Sequence, residues 1–326
     1  MKIFLNSLGF LTIFRISRKV YVNDNLFYKT LYYFPLAGFL IGIFCSTVYF
    51  ISGFVFPGFL CLIFTVIAEV FISGGMHLDG LSDTADGIFS GKAGKEKIVE
   101  IMKKSDIGVF GVISLVFLLI LKIALLYSIF SIAFKNIETI NLQNTIKNTT
   151  GISDNIHEYF TVLPSFNITL LINFAVVFSF MPAISRWTIN LQFARFGRFS
   201  FPGSMTEIFL KKKSKKIFII PSLYLFLLVI ISNAAAGYFL KENFLFNSFS
   251  RFVKNYSASG GNLLFFWVIP VIKCSIIIML IILFAETAGR FLIRRIGRLS
   301  GDAIGAVVEI TEIIYLFLIY IFIFIF

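Results

Sequence analysis

The chain has 326 residues, of which 58% are hydrophobic and only 14% charged, and it carries a formal net charge of +12. A soluble domain has roughly 25% charged residues, so this composition excludes an ordinary soluble globular protein and points to a helical membrane bundle. The three cysteines, Cys45, Cys61 and Cys274, sit singly in apolar runs, which excludes a disulfide framework and zinc spacing.

The segment from Met1 to Phe14 has one basic residue and no small-residue cleavage site. It reads as a short amphipathic or re-entrant segment rather than a cleavable signal peptide. Apolar stretches long enough to span, at about 20 residues each, follow at 30–53, 55–74, 107–134, 166–185, 217–240, 263–286 and 304–326. The expectation is a single all-α domain over 1–326, a polytopic bundle of about seven spans. The segment 135–165, rich in Asn, Thr and Ile, reads as an ordinary outer loop.

Loop charge supports this division. Residues 1–29, 75–106, 186–216 and 287–303 hold 22 of the 29 Lys and Arg. The alternate loops hold five, and Lys122 and Lys273 lie inside spans. By the positive-inside rule the N-terminus and the basic loops are cytoplasmic and the C-terminus is outside. The basic excess is therefore a matter of topology and anionic lipid. No nucleic-acid motif accompanies it.

The densest chemistry lies at 74–91, Gly-Gly-Met-His-Leu-Asp-Gly-Leu-Ser-Asp-Thr-Ala-Asp-Gly-Ile-Phe-Ser-Gly. On a helix, Asp79, Asp83 and Asp86 fall on one face. Like charges this close repel unless a cation lies between them. Mg²⁺ takes carboxylate oxygens and shares its remaining positions with substrate phosphates, so the pattern predicts metal-assisted phosphate chemistry. His77, two residues before Asp79, could serve as a general base, bind metal or be a hydrogen-bonded structural residue.

Further along, Gly108 and Gly111 near the start of a span admit either a phosphate or a packed neighbour. Arg186 and Arg195, nine apart on a helix extending the fourth span, suit phosphate oxygens or lipid headgroups. Lys122 lies deep in a span and requires an acid partner or a polar cavity. Asp302 sits in Ser-Gly-Asp-Ala-Ile-Gly, with Glu309 seven residues on and Glu312 ten. A tight turn should bring Asp302 near the aspartate cluster, or else Ser300 or Asp302 caps the last span.

The wording of 74–87 resembles the signature of the cobalamin synthase family, the adenosylcobinamide-GDP ribazoletransferases. Similar segments recur in order: Phe-Pro-Leu-Ala-Gly-Phe-Leu-Ile-Gly (34–42), Ile-Met-Lys-Lys-Ser-Asp-Ile-Gly-Val-Phe-Gly (101–111), Lys122, Ser-Arg-Trp (185–187), Ala-Arg-Phe-Gly (194–197) and Ser-Gly-Asp-Ala-Ile-Gly-Ala (300–306). Lys104 and Asp106 depart from the family pattern with their charges exchanged, so no role carries over to either.

The resemblance implies a Mg²⁺-dependent inner-membrane transferase with its active site at the cytoplasmic face. Its substrates would be adenosylcobinamide-GDP and α-ribazole or α-ribazole 5′-phosphate, and GMP would leave. Taken with the residue patterns, it assigns Asp79, Asp83 and Asp86 to metal, and His77, Lys122 and Asp302 to catalysis. Lys103, Ser105, Arg186, Arg195 and Glu309 go to substrate binding. Oligomeric state, a homo-oligomer included, is open. A CDP-alcohol phosphotransferase-like enzyme and a cation or solute transporter are the competing readings. The absence of a second aspartate-rich motif opposes the first, and the clustering of acids at one boundary opposes the second.

Overall fold

The computed structural model describes residues 1–17, 20–91, 94–104, 106–148, 168–201, 204–210, 216–239 and 264–324. Within these the chain is a bundle of helices: α1 (Lys2–Leu11), α2 (Asp24–Phe27), α3 (Phe34–Ser52), α4 (Gly58–Ser73), α5 (Met76–Phe89), α6 (Lys95–Met102), α7 (Val109–Asn148), α8 (Ile168–Phe196), α9 (Met205–Ile208), α10 (Lys216–Phe239), α11 (Leu264–Ile296) and α12 (Gly301–Phe324). The only β pairing among the described residues is an isolated bridge between Ser200 and Leu299.

Helices α3, α7, α8, α11 and α12 contain segments long and apolar enough to cross a membrane. The pair α4 and α5 passes the same test together but is bent by 88°, and α10 qualifies only as a shorter apolar helix over the residues tested. The described residues thus give five such segments, or six with the bent pair, where the sequence suggested about seven. A second difference lies at 135–148, expected as loop, where α7 continues as helix to Asn148. Between Gly111 and Gly151 there is neither Gly nor Pro to end it.

Helix α8 is the central post: 89% of its apolar window is buried. Helix α3 reaches its backbone through Gly38 and Gly42, where an added Cβ would run into the main chain at Pro182–Ala183 and at Phe178–Ser179. Small residues four apart allow this approach, and van der Waals packing then holds the helices together in lipid. Pro182 is accommodated within α8, where the Ser185 Oγ lies 3.1 Å from its carbonyl oxygen. The seam is also aromatic, with Tyr49, Phe130 and Phe178 each packed on Phe174.

The basic segments assigned to one side by charge do gather at one end of the bundle. The Ile13 amide donates to the Ile72 carbonyl at 2.9 Å, and Leu299 donates to Phe199 at 2.9 Å. Arg295 donates to the Ile88 carbonyl at 3.2 Å. Phe10 packs on Phe209. Segments far apart in sequence therefore build a single polar cap over an apolar bundle.

Candidate active site

The cap is organised by the turn between α4 and α5. Gly74 and Gly75 both have positive φ, 65° and 68°, a conformation that L side chains resist. Their amides close α4 by donating to Phe71 and Val70 at 3.0 and 3.1 Å. The chain then leaves nearly at right angles. As a result α5, which carries the three aspartates, lies across the end of the bundle instead of continuing through it.

Helix α12 crosses α5 at close range. A Cβ on Gly80 would stand 2.8 Å from the Asp302 Cα and 2.7 Å from its carbonyl oxygen. At Gly305 a Cβ would meet the His77 backbone at 3.2 Å. Glycine at both positions is what lets the helices touch. The first turn of α12 is capped by Ser300, whose Oγ accepts from the Ala303 amide at 3.0 Å. Asp302 is left free of that task and is set against α5.

Asp79 is exposed and Asp83 half-buried on the open side of α5. The Asp83 carboxyl is pushed up to about 6, by burial first and then by the charges of Asp79, Asp302 and Asp86. No cation among these neighbours compensates the cluster. Asp302 is thus brought to the aspartates from more than 200 residues away.

Asp86 behaves differently. It is buried, and its two carboxylate oxygens accept from the amides of Gly108 and Gly111 at 2.7 and 2.8 Å. These are orphan donors around the first turn of α7, so the carboxylate caps α7 from a neighbouring helix and also suits its dipole. A Cβ at either glycine would collide with the Asp86 carboxylate. What approaches the two glycines is therefore a protein acid, not a phosphate. The sequence held both halves of this contact but nothing that paired them.

Beside Asp302 opens a pocket of about 310 Å³ walled by Val99, Met102, Phe201 and Ile296, with Lys103 on its lining. The Lys103 ammonium lies 5.9 Å from the Phe201 ring centre, and the Arg298 guanidinium 5.4 Å from it. Phe201 and Arg298 were missed by sequence reasoning, because nothing local links residues almost a hundred apart. Ser105 lies outside the described residues. Lys104 and Asp106 are both exposed. Arg195 is exposed and pairs with Glu286 at 2.8 Å, and Arg290 joins that same acid at 2.9 Å.

Three residues expected at the site are instead buried beneath it. Lys122 is 2% exposed and pairs with Glu69 at 3.3 Å, with Glu309 at 3.5 Å and with Glu312. Arg186 is 1% exposed and bound to Glu312, with Glu69 at 4.0 Å. Ser185 donates to Glu312 at 2.8 Å and accepts from Arg186 at 2.8 Å. The sequence alone reads Arg186 as a phosphate clamp, Lys122 as catalytic and Glu309 as a substrate contact; the structure places them in ion pairs away from the open cap. All three belong to an ion network joining α4, α7, α8 and α12. The physical reason is desolvation: inside the bundle a cation takes the nearest acids, and here three glutamates meet two cations. His77 is 4% exposed, its Nδ1 has no hydrogen-bond partner, and the charges of Arg186, Glu312 and Lys122 act on it. It faces this network and not the open cap.

Among the described residues no three His, Cys, Asp or Glu side chains stand close enough to enclose a metal ion. Mg²⁺ does not need such a cage, since it is commonly held by one or two carboxylates with waters and substrate phosphates. Asp79 and Asp83, open and uncompensated, fit that kind of site.

Known proteins resemble this chain over part of its length. Adenosylcobinamide-GDP ribazoletransferase of Clostridioides difficile (strain 630) is 45% identical over 132 residues, 40% of this chain and 50% of that protein. The protein of the same name from Clostridium novyi (strain NT) is 40% identical over 129 residues, 40% of this chain and 51% of its own length. That of Shewanella amazonensis (strain ATCC BAA-1098 / SB2B) is 36% identical over 138 residues, 41% and 53% respectively. The chain thus spans about half the length of the curated relatives it matches. No solved structure matches it. The family model CobS, described as cobalamin-5-phosphate synthase, matches residues 3–142 and 159–320. That match takes in the aspartate helix, the buried ion network and the capping turn of α12, and the chain belongs to this family.

Proposed function

We propose that this chain is an adenosylcobinamide-GDP ribazoletransferase of the cell inner membrane. Its substrates are adenosylcobinamide-GDP and α-ribazole or α-ribazole 5′-phosphate. The observation that carries the reading is the uncompensated acid pair Asp79 and Asp83 on α5, set against Asp302 across the Gly80 contact. The names of the relatives supply the substrate class. The gathering of all basic segments at one end supports a cytoplasmic site and a cytoplasmic N-terminus.

In the proposed reaction a ribose hydroxyl oxygen of α-ribazole bonds to the phosphorus next to cobinamide. The bond from that phosphorus to the GMP oxygen breaks, and GMP leaves with the electron pair. The hydroxyl proton passes to the Asp302 carboxylate, which is close enough to α5 to serve an acceptor there. Asp79 and Asp83 would hold Mg²⁺, and the bound ion supplies neutralisation of the diphosphate and of the leaving phosphate. Lys103 and Arg195, exposed on the same cap, bind anionic groups. Asp86 positions α5 on α7, and the Lys122–Arg186 network holds the helices beneath. This reading assigns no proton transfer to His77, which is buried beside the ion network.

The test is GMP release from adenosylcobinamide-GDP by the full chain in lipid nanodiscs, with and without α-ribazole and Mg²⁺. Release should require all three. Asp79→Asn, Asp83→Asn and Asp302→Asn should each lose most turnover while remaining folded. Full turnover in these three variants would reject the assignment.

A further inference from the structure

On the proposed reading, the site must hold two very different ligands, a large corrinoid diphosphate and a small nucleoside. The pocket beside Asp302 can be matched to one of them. Its volume of about 310 Å³ lies at the lower end of small-molecule sites, which run from about 300 to 1,000 Å³. That admits one flat heterocycle with its sugar and excludes a corrin macrocycle.

The chemistry of the walls decides which heterocycle. Val99, Met102, Phe201 and Ile296 are apolar. The two hydroxyls on the lining already have partners. Ser300 Oγ accepts the Ala303 amide, and Ser204 Oγ is shared between the Phe201 carbonyl and Thr206 Oγ1. What remains is one carboxylate, Asp302, at the side facing the aspartates, one ammonium, Lys103, and the Ser300 hydroxyl proton. Guanine carries donors and acceptors along two edges; Asp302 can accept from its N1–H and amino group, but O6, N7 and N3 would be left against apolar walls. A dimethylated benzimidazole has an apolar rim and no such edge. The Phe201 ring, with Lys103 and Arg298 over it, offers the base an aromatic wall to pack against.

We infer that this pocket is the acceptor subsite. It takes the benzimidazole base of α-ribazole between Val99, Met102, Ile296 and Phe201, and so directs the ribose toward Asp302. Lys103 stands where a 5′-phosphate would meet it, which gives the chain a means of favouring the phosphorylated acceptor. This rests on the transferase reading above, but the two can fail separately.

The experiment uses the full chain in nanodiscs and two measurements. The first is direct binding of α-ribazole, followed through the fluorescence of its benzimidazole, with GMP as competitor. The second is the KM of each substrate. Val99→Trp, which fills the pocket, should weaken α-ribazole binding and raise its KM about tenfold or more, the scale on which small changes in pocket volume act. The KM for adenosylcobinamide-GDP should stay in place. Lys103→Met should selectively weaken α-ribazole 5′-phosphate. Displacement of α-ribazole by GMP, or a Val99→Trp defect confined to adenosylcobinamide-GDP, would assign the pocket to guanine and overturn the inference. Unchanged binding of both ligands in Val99→Trp would overturn it as well. Saturable α-ribazole binding sensitive to Val99→Trp, in a wild-type chain that releases no GMP, would uphold the pocket while rejecting the transferase reading.

Discussion

Asp86→Asn separates two jobs that the sequence assigns to one motif. In the structure Asp86 is buried and bonded through both oxygens to the Gly108 and Gly111 amides. Asparagine keeps one acceptor oxygen but turns its NH₂ toward the other amide, so one bond is lost and two donors face each other. A hydrogen bond to a charged group contributes about 1.5–3 kcal/mol, and a buried unpaired donor costs a further ~1–3 kcal/mol. With partial relaxation, the loss should be about 2–4 kcal/mol. Asp79→Asn and Asp83→Asn remove like charges from an uncompensated group. Without metal they should leave stability unchanged or raise it. The assay is denaturant or thermal unfolding of the three variants in detergent with EDTA. Equal stability of all three, or an Asp86→Asn variant as stable as the parent chain, would refute the capping role and return Asp86 to the open cluster.

Lys122→Met should destabilise the bundle by about 3–5 kcal/mol, because three buried glutamates would be left with Arg186 alone. Adding Glu309→Gln should recover part of this loss, so a double-mutant cycle by unfolding should be clearly non-additive. Strict additivity would mean that the network is not coupled. Asp83 predicts a pH dependence with a defined sign. Its carboxyl titrates near 6 in the folded chain and near the ordinary value of about 4 when unfolded. The contribution to stability is therefore fully present below about pH 4 and is lost as pH rises through about 6. On the proposed metal role, Mg²⁺ would bind the ionised form, so the stabilisation it gives should grow over the same interval. A melting-temperature increment from Mg²⁺ that is constant between about pH 5 and pH 7 would contradict this.

Much of the molecule is legible in the chain because it is set by local chemistry. Runs of apolar residues must hide their backbone polar groups in lipid, so they form helices wherever Gly and Pro permit. Most lysines and arginines fall in four segments, and the described parts of those segments meet at one end. Gly74 and Gly75 announce a turn, and the spacing of Asp79, Asp83 and Asp86 announces a charged helix face.

The tertiary structure decided how the charged residues divide. A helix face about 60° wide does not say which of its acids looks at solvent and which looks at another helix. Packing against α7 turned Asp86 onto two backbone amides and left Asp79 and Asp83 open. An arginine near a span boundary reads alike whether it meets a phosphate or a glutamate. Only the arrival of Glu69 and Glu312 from other helices made Arg186 and Lys122 parts of a buried network. The pocket lining of Val99, Phe201 and Ile296 joins three segments about a hundred residues apart. Their pattern is invisible along the chain, because desolvation and contact act through space.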